Sequence, residues 1–486
     1  MACSSRTIPP KSSTPPHNIV LVLLDTVRAD RLSCYGNPRE TTPALDRLAR
    51  EGVRFEHAQA AAPWTIPSIA SLWTGVLPST HGAGIPKEPK KFEGKGSYRG
   101  FDHGALSNLP MHLERGGFRN FAFIANPGLE RMPCFLQGFE RTNCRVAFVK
   151  AEVALAEVLA WLPELERSQP FFLYLHLMDA HQPLDPPRHY RNLFATDGKP
   201  RDDKQYAAWG DLNQPELMRS PDLPAFRENK LAVYDGALRY MDDQLAKLFA
   251  ELEKRGLGDD TLIVVTADHG EEFWEHGAEE TELYDCGPRA RIGVGHGHSQ
   301  FQELLAVPLL VAGPGVEPGE IETRVSLLDL GATLFDLALG QRTVDFGDGR
   351  SFGALVRGEG GAGRAAVSEE TSSGYELKAL VRPDGLKYVL AHHEGEQDCL
   401  FDLAQDPEER HNLVAERPEV AAQLRSELAA LVAAAREKRV EPGAPAEASA
   451  ADLEALGYAG ESRPSGKPRP TPQRIKPKPF LKKGSR

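Results

Sequence analysis

Five short stretches of the chain carry the side chains that ester hydrolysis on a metal needs: Asp25-Thr26, Thr65-Ile66-Pro67-Ser68, Asp179-Ala180-His181-Gln182-Pro183, Asp268-His269-Gly270 and Gly295-His296-Gly297-His298-Ser299. Carboxylates such as Asp25 and Asp268 supply the oxygen ligands that a hard divalent cation takes, and His269 adds a nitrogen that Mn²⁺ or Zn²⁺ accepts. A hydroxyl on such an ion loses its proton more readily, which turns Thr65 from a poor nucleophile into an effective one. Pro67 has a fixed φ and no N–H to lose, so it suits the first turn of a helix. Thr65 therefore lies at, or one residue before, a helix N-terminus, where free N–H groups and the helix dipole favour an anion such as a sulfate or phosphate ester. Taken alone, the same stretch also reads as an ordinary helix cap. His181 and one of the pair His296 and His298 fit work on a bound ester, stabilising charge on non-bridging oxygens and protonating the leaving group. Asp179, with His176 and His181 beside it, fits either a second metal site or a set of hydrogen-bond partners.

These residues stand where apolar runs stop. Asn18 to Leu24 is continuously apolar and ends at Asp25; Phe121 to Ala125 ends at Asn126, Phe171 to Met178 at Asp179, and Leu262 to Ala267 at Asp268. Runs of this kind read as central parallel strands. Helical stretches lie between them, at Ala151 to Leu165 and Glu228 to Arg255, and a further helix is marked by Thr42-Pro43 at its start and Gly52 past its end. Alternating strands and helices give an α/β fold with a mostly parallel sheet flanked by helices, and parallel strands deliver their C-terminal ends to one edge. Asp25, Asn126, Asp179 and Asp268 are therefore expected on one rim.

The organisation follows from composition. A leader at 1–17 is polar and proline-rich, residues 18–360 hold the catalytic pattern, and 361–458 form a small α+β C-terminal subdomain with strands at Tyr375 to Val381 and Lys387 to Leu390, a turn at Pro383-Asp384-Gly385 and a helix from Pro418 to Lys438. The tail, 459–486, interleaves proline with Lys and Arg and has nothing to bury, so it is expected to be disordered. Lys87 to Gly104 and Pro186 to Pro224 read as excursions from the core. At 486 residues and a net charge of −12 the chain can bury a large core and is not built as a general nucleic-acid binder. Its six cysteines form no CxxC pair, which implies neither a disulfide framework nor a zinc finger. With no apolar run long enough to span a bilayer, the sequence as it stands reads as soluble. Ala2-Cys3-Ser4-Ser5 resembles the first residues of a bacterial lipoprotein after signal removal, and an upstream signal would make the protein exported and anchored.

Together the motifs resemble the sulfatase family of the alkaline phosphatase superfamily. The resemblance rests on Asp25-Thr26, on Thr65-Ile66-Pro67-Ser68 with Leu72-Trp73-Thr74-Gly75 and Pro78-Ser79-Thr80-His81-Gly82 behind it, on Asp179 to Pro183, on Asp268-His269-Gly270, and on Gly297-His298-Ser299 with Val307-Pro308-Leu309. It extends to Leu400-Phe401-Asp402-Leu403, Asp406-Pro407-Glu408-Glu409 and Asn412-Leu413. It implies an alkaline-phosphatase-like sheet and a hydrolase that needs a divalent metal ion, Mn, Mg, Ca or Zn, held by Asp25, Thr26, Thr65, Asp268 and His269, with Thr65, His181, His296 and His298 as the catalytic candidates. In sulfatases proper the position of Thr65 is a cysteine oxidised to formylglycine and followed by Pro, Ser and Arg. Threonine cannot become formylglycine, and Ile69 stands where the arginine would be. Thr26 replaces the second Asp of the family's Asp-Asp pair, and a histidine replaces the lysine expected near His298. Relatives in the wider superfamily use an unmodified threonine on phosphate esters, so phosphate mono- or diesters, as small molecules or on a glycan or lipid, are favoured over sulfate esters. A phosphoryl transferase and a sulfatase-like protein that binds without catalysis are the competing expectations. The stretch 278–294, acidic then basic, is an insertion without a readable purpose, and substrate identity and oligomeric state are not written in the motifs.

Overall fold

A computed structural model describes residues 18–85, 97–144, 148–165, 169–195, 220–283, 293–341, 346–372, 375–393, 396–443 and 445–447. The expected leader and basic tail, Cys3, and parts of 87–104, 186–224 and 278–294 lie outside the described residues.

The main sheet has eight strands: β1 Asn18–Leu24, β2 Val53–Phe55, β3 Arg119–Ile124, β4 Arg141–Cys144, β5 Phe171–Leu177, β6 Thr261–Thr266, β7 Leu309–Ala312 and β8 Gly319–Ile321. Across the sheet they lie in the order β8-β2-β7-β6-β1-β5-β3-β4. From β6 to β4 all neighbours are parallel, while β7 runs antiparallel to both β6 and β2. Every residue of β1 and β5 is buried, which explains their unbroken apolar sequences: a central strand covered on both faces has no polar side. The α/β expectation holds, with one antiparallel strand inside a mostly parallel sheet.

Four helices matter for the site: α1 Pro43–Glu51, α2 Thr65–Thr74, α3 Ala151–Leu165 and α4 Leu223–Lys254. All ten residues of α2 are buried, and Trp73 packs edge-on against Tyr174 at 5.0 Å and Phe139 at 5.5 Å between ring centroids. The helix ends at Gly75, whose φ of 69° is left-handed and whose N–H returns to the Ser71 carbonyl. A Cβ there would stand 2.4 Å from the Phe346 carbonyl oxygen, so only glycine fits. Thr42 does not cap α1 with its side chain. Its hydroxyl accepts the Ser33 N–H, and the free N–H groups of Ala44 and Leu45 donate instead to Asp242 of α4 at 2.8 and 2.9 Å.

Four antiparallel strands follow in sequence order, β9 Ala366–Ser368, β10 Leu377–Val381, β11 Leu386–Ala391 and β12 Cys399–Asp402, with α5 at Pro418–Glu437. Alternation along β10 sends Leu377, Ala379 and Val381 toward Phe301 and Leu305 of the preceding chain, and Leu380 toward Leu424 and Leu428 of α5. The turn at Pro383-Asp384-Gly385 joins β10 to β11 with Gly385 at φ 89°.

His276 pins this sheet to the rest of the molecule. Its ring stacks on Phe301 at 3.9 Å, Nε2 donates to the Glu408 carbonyl at 2.9 Å, and Nδ1 meets Glu303 at 2.5 Å. Burial alone would lower its pKa, but the charge and hydrogen bond of Glu303, then the charges of Glu409 and Glu272, push it up to about 9. A folded-state pKa raised above the unfolded value gives stability that is complete below pH 6.5 and is lost as pH rises through 9. On the order of 3 kcal/mol is expected to disappear over that window. Chemical denaturation at pH 6 and pH 9 should show a larger loss in the wild type than in His276→Gln.

Candidate functional site

At the C-terminal rim of the main sheet the chain assembles a buried cluster, one of two among the described residues whose side chains could hold a metal ion, the other being Glu272, Glu280 and His298. Asp25 follows β1, and Asp268 and His269 follow β6, the neighbour of β1; all three side chains are fully buried and offer ligand atoms within 4.8 Å of one another. Each carboxylate has one oxygen tied down and one held out. Asp25 Oδ2 accepts from His176 Nε2 at 2.9 Å and from Asn126 Nδ2 at 3.1 Å, whereas Oδ1 has no hydrogen-bond partner. Asp268 Oδ1 accepts the N–H groups of His269 and Thr26 at 3.0 and 3.3 Å, and Oδ2 has none. These two oxygens lie 3.8 and 3.4 Å from His269 Nε2. Because His269 Nδ1 donates to the Gly270 carbonyl, Nε2 of the neutral ring carries its lone pair toward them. Fixed outer oxygens, two partnerless buried inner oxygens and an imidazole lone pair are what a divalent cation requires of its ligands and their supports, so the donor set fits the ion that the resemblance implies.

The electrostatics agree. Burial and the adjacent Asp25 raise the Asp268 carboxyl well above the ordinary range. At Asp25 the burial penalty is outweighed by the His176 hydrogen bond and by the charges of His181, His176 and His269, which hold it below that range. Two such carboxylates cannot both stay ionised in a dry site without a counter-charge.

Helix α2 delivers the hydroxyl. Thr65 is its first residue; Trp64 stands at the N-cap and makes no capping hydrogen bond to the helix with its side chain, and the Thr65 Oγ1 lies 3.2 Å from His269 Nε2. Ser68, one turn along, donates to the Asp268 carbonyl at 2.6 Å and fixes the helix against the β6 exit. The Trp64 indole N–H on the Glu370 carbonyl anchors the same helix entry from the C-terminal side. His81, prominent in the motifs, is buried and structural: it bonds Ser71 and the Ala83 N–H, and burial pulls its pKa down to about 3.

Not every expected residue arrives. The Thr26 hydroxyl is turned onto the Asp25 carbonyl at 2.7 Å, and this residue, at φ 60°, serves the cluster through its N–H to Asp268. Asn126 reaches the rim as expected, but Asp179 does not join it: its carboxylate accepts the Ala151 N–H at 3.0 Å at the start of α3. Burial raises the Asp179 carboxyl to about 7, against the Ala151 N–H and the charge of Lys150. The histidine pair separates. His296 packs at 4.5 Å from His269 and 5.0 Å from His181, ring to ring, with Nδ1 donating to Glu271 at 2.8 Å. His298 faces Glu272 at 2.8 Å and Glu280 at 3.6 Å instead. The reason is register. Glu272-Phe273 pairs antiparallel with Val294-Gly295, which sets His296 opposite Glu271; the left-handed Gly297, at φ 78°, then breaks the extended alternation that would keep His298 on the same side, and His298 meets Glu272 instead. Glu271 was not singled out in the sequence although it sits two residues past His269; it also accepts from Gln182 at 2.9 Å and so ties the His181 loop to the His296 loop.

His181 keeps Nδ1 on the Gln182 carbonyl at 2.6 Å, and its Nε2 has no hydrogen-bond partner. Burial, with the nearby His296, brings its pKa down to about 4 despite the charge of Asp25. The site thus offers a hydroxyl, a ligand set, one imidazole backed by a carboxylate and one neutral imidazole.

No helix among the described residues is long and apolar enough to cross a membrane. Comparison with known proteins agrees with this geometry. The solved structure of BT4656 in complex with its substrate D-glucosamine-2-N,6-O-disulfate superposes with a TM-score of 0.67 at 18% identity, covering 86% of this chain and 98% of that one. The phosphonate monoester hydrolase of Agrobacterium radiobacter superposes with a TM-score of 0.61 at 22% identity, covering 87% and 96%. An arylsulfatase of Clostridium perfringens (strain 13 / Type A) is 24% identical over 453 residues, 82% of this chain and 90% of its own length. The family model described as Sulfatase matches residues 17–340, and with that match over well more than half its length the chain belongs to the sulfatase family, a family of hydrolases that act on ester bonds.

Proposed function

We propose that the protein hydrolyses phosphate mono- or diesters in preference to sulfate esters, with the unmodified hydroxyl of Thr65 as nucleophile. The observation that carries this reading is the placement of Thr65 Oγ1 3.2 Å from His269 Nε2, beside two buried carboxylate oxygens that lack partners. Asp25, Asp268 and His269 would hold a divalent cation, which supplies Lewis acidity and eases ionisation of a neighbouring hydroxyl.

The remaining work falls to the chain's own groups. His296, with Glu271 behind its Nδ1, is suited to carry a proton on Nε2 and give it to the departing alkoxide, because the carboxylate stabilises the imidazolium. His181 stays neutral with its Nε2 lone pair exposed to the same space, and so can take a proton from the water that releases the threonyl ester. Sulfatases proper release sulfate from an aldehyde hydrate, a route closed to threonine. The ester on Thr65 must instead be cleaved by attack at phosphorus or sulfur. Thr26 in place of an acidic residue leaves fewer negative charges facing the substrate, which suits the more highly charged phosphate.

A panel of aryl sulfates, phosphate monoesters, phosphate diesters and phosphonates, each assayed with Mn²⁺, Mg²⁺, Ca²⁺ and Zn²⁺, tests the reading; phosphate esters should give the largest kcat/KM, and a preference for sulfate would overturn it. On the best substrate His296→Gln is expected to lower kcat/KM by about 10²- to 10³-fold. His298→Gln should leave kcat/KM within about tenfold and act on stability, because it breaks a buried pair with Glu272.

A further inference from the structure

A cleft of about 480 Å³ opens beside the small sheet that carries Val325–Ser326, between the main sheet and the C-terminal strands. Arg28, His57, Arg227, Glu275, Arg324 and Arg410 are among its walls, and none of the residues assigned above to catalysis or metal binding lines it. Most of its charges are answered within the protein. Arg28 and Arg227 both reach Glu275, at 2.6 and 2.8 Å, Arg410 reaches Glu279 at 3.0 Å, and His276 is paired with Glu303.

Arg324 is the exception. Its side chain is 7% exposed, yet among the described residues its guanidinium makes no hydrogen bond and no ion pair within 4 Å. The carboxylate acting on it, Asp384, is half-exposed and already engaged with Arg382 at 3.3 Å. Burial accordingly pulls the Arg324 pKa below the ordinary arginine value. His57, also in the wall, adds no second positive charge: burial and Arg324 itself hold its pKa down. None of its nitrogens is sealed from the cleft, and a largely buried charge that only water can meet there is costlier than one held by a fixed counter-charge. Placed in a cleft large enough for a small molecule, its planar fork of donors is complementary to an oxyanion.

We infer that this cleft is a second ligand site, which binds a small molecule through a carboxylate, sulfate or phosphate group seated on the guanidinium of Arg324. The inference does not depend on which ester the catalytic centre cleaves.

Calorimetric titration and thermal unfolding of the whole protein with acetate, sulfate and phosphate, at constant ionic strength set with chloride, test it. The wild type should gain thermal stability with at least one of the three. A response to acetate alone identifies a carboxylate site; a response to sulfate or phosphate identifies a tetrahedral one. Sulfate and phosphate also suit the catalytic centre, so the reading lies in Arg324→Met: one binding event should weaken by about 10- to 100-fold while kcat/KM measured without added anion is unchanged. Without anion, Arg324→Met should also unfold at a temperature equal to or above that of the wild type, because an uncompensated charge has been removed. Arg324→Lys, which keeps the charge and loses the fork, serves if the methionine variant does not fold, and should bind more weakly than the wild type. Identical anion responses in the wild type and either variant, or no response of the wild type to any of the three anions, would overturn the inference.

Discussion

Replacing Thr65 by alanine is expected to lower kcat by about 10³- to 10⁶-fold on the best substrate, the range seen when a nucleophile is removed and only binding and charge stabilisation remain. The fold should survive. Thr65 is the first residue of α2, but it is not the residue whose side chain caps it, and its hydroxyl is directed at His269. Loss of that hydroxyl removes its buried hydrogen bond to His269, about 1 kcal/mol, and leaves Ser68 on the Asp268 carbonyl to hold the helix in place. Metal content should likewise be unchanged, since Asp25, Asp268 and His269 remain. Thr65→Ser should recover much of the activity, because it restores the hydroxyl at the same position. Steady-state kinetics beside metal analysis and thermal unfolding separate these effects. An alanine variant of full activity would remove Thr65 from the chemistry, whatever its fold.

The sequence carried the main lines of this centre because parallel strands impose a direction. β1, β5 and β6 each lead within two residues to an aspartate, and their common direction brings Asp25 and Asp268 together without any knowledge of packing. The first turn of α2 was legible for a similarly local reason, the backbone preference of Pro67. What could not be read was the choice of partner. Asp179 ends its strand just as Asp25 does, yet it is taken by the start of α3, because a helix N-terminus happens to arrive there. Asp242, deep in α4, supplies the cap of α1 from about 200 positions away, while Thr42, the obvious local cap, turns to Ser33. His296 and His298 differ by two positions in a glycine-flanked loop, and nothing local says which one meets His269. The pairing of 272–273 with 294–295 sets His296 opposite Glu271, and the left-handed turn at Gly297 takes His298 to Glu272. Local chemistry therefore identified residues able to react, and tertiary register decided which of them were brought together.

Removing the metal is expected to weaken both activity and fold. Asp25 Oδ1 and Asp268 Oδ2 are buried, close to one nitrogen, and without hydrogen-bond partners; a cation that binds only the folded protein stabilises it by mass action, about 2.7 kcal/mol at a hundred times its dissociation constant. Dialysis against EDTA should therefore abolish turnover and lower Tm, and one of the four divalent ions should restore both. Asp268→Asn separates the two roles of this carboxylate. The variant keeps an oxygen able to accept the His269 and Thr26 N–H groups, so the local backbone is held, but it takes one negative charge out of the cluster. In the metal-free state it should be at least as stable as metal-free wild type, since two buried carboxylates no longer face each other. Added metal should then raise its Tm little and bind with affinity lower by 10-fold or more, and kcat/KM should stay near the background of Thr65→Ala. The opposite pattern, a wild type whose Tm and activity are indifferent to EDTA and to all four ions, would mean that Asp25 and Asp268 share a proton rather than a cation, and that Thr65 is activated by His269 alone.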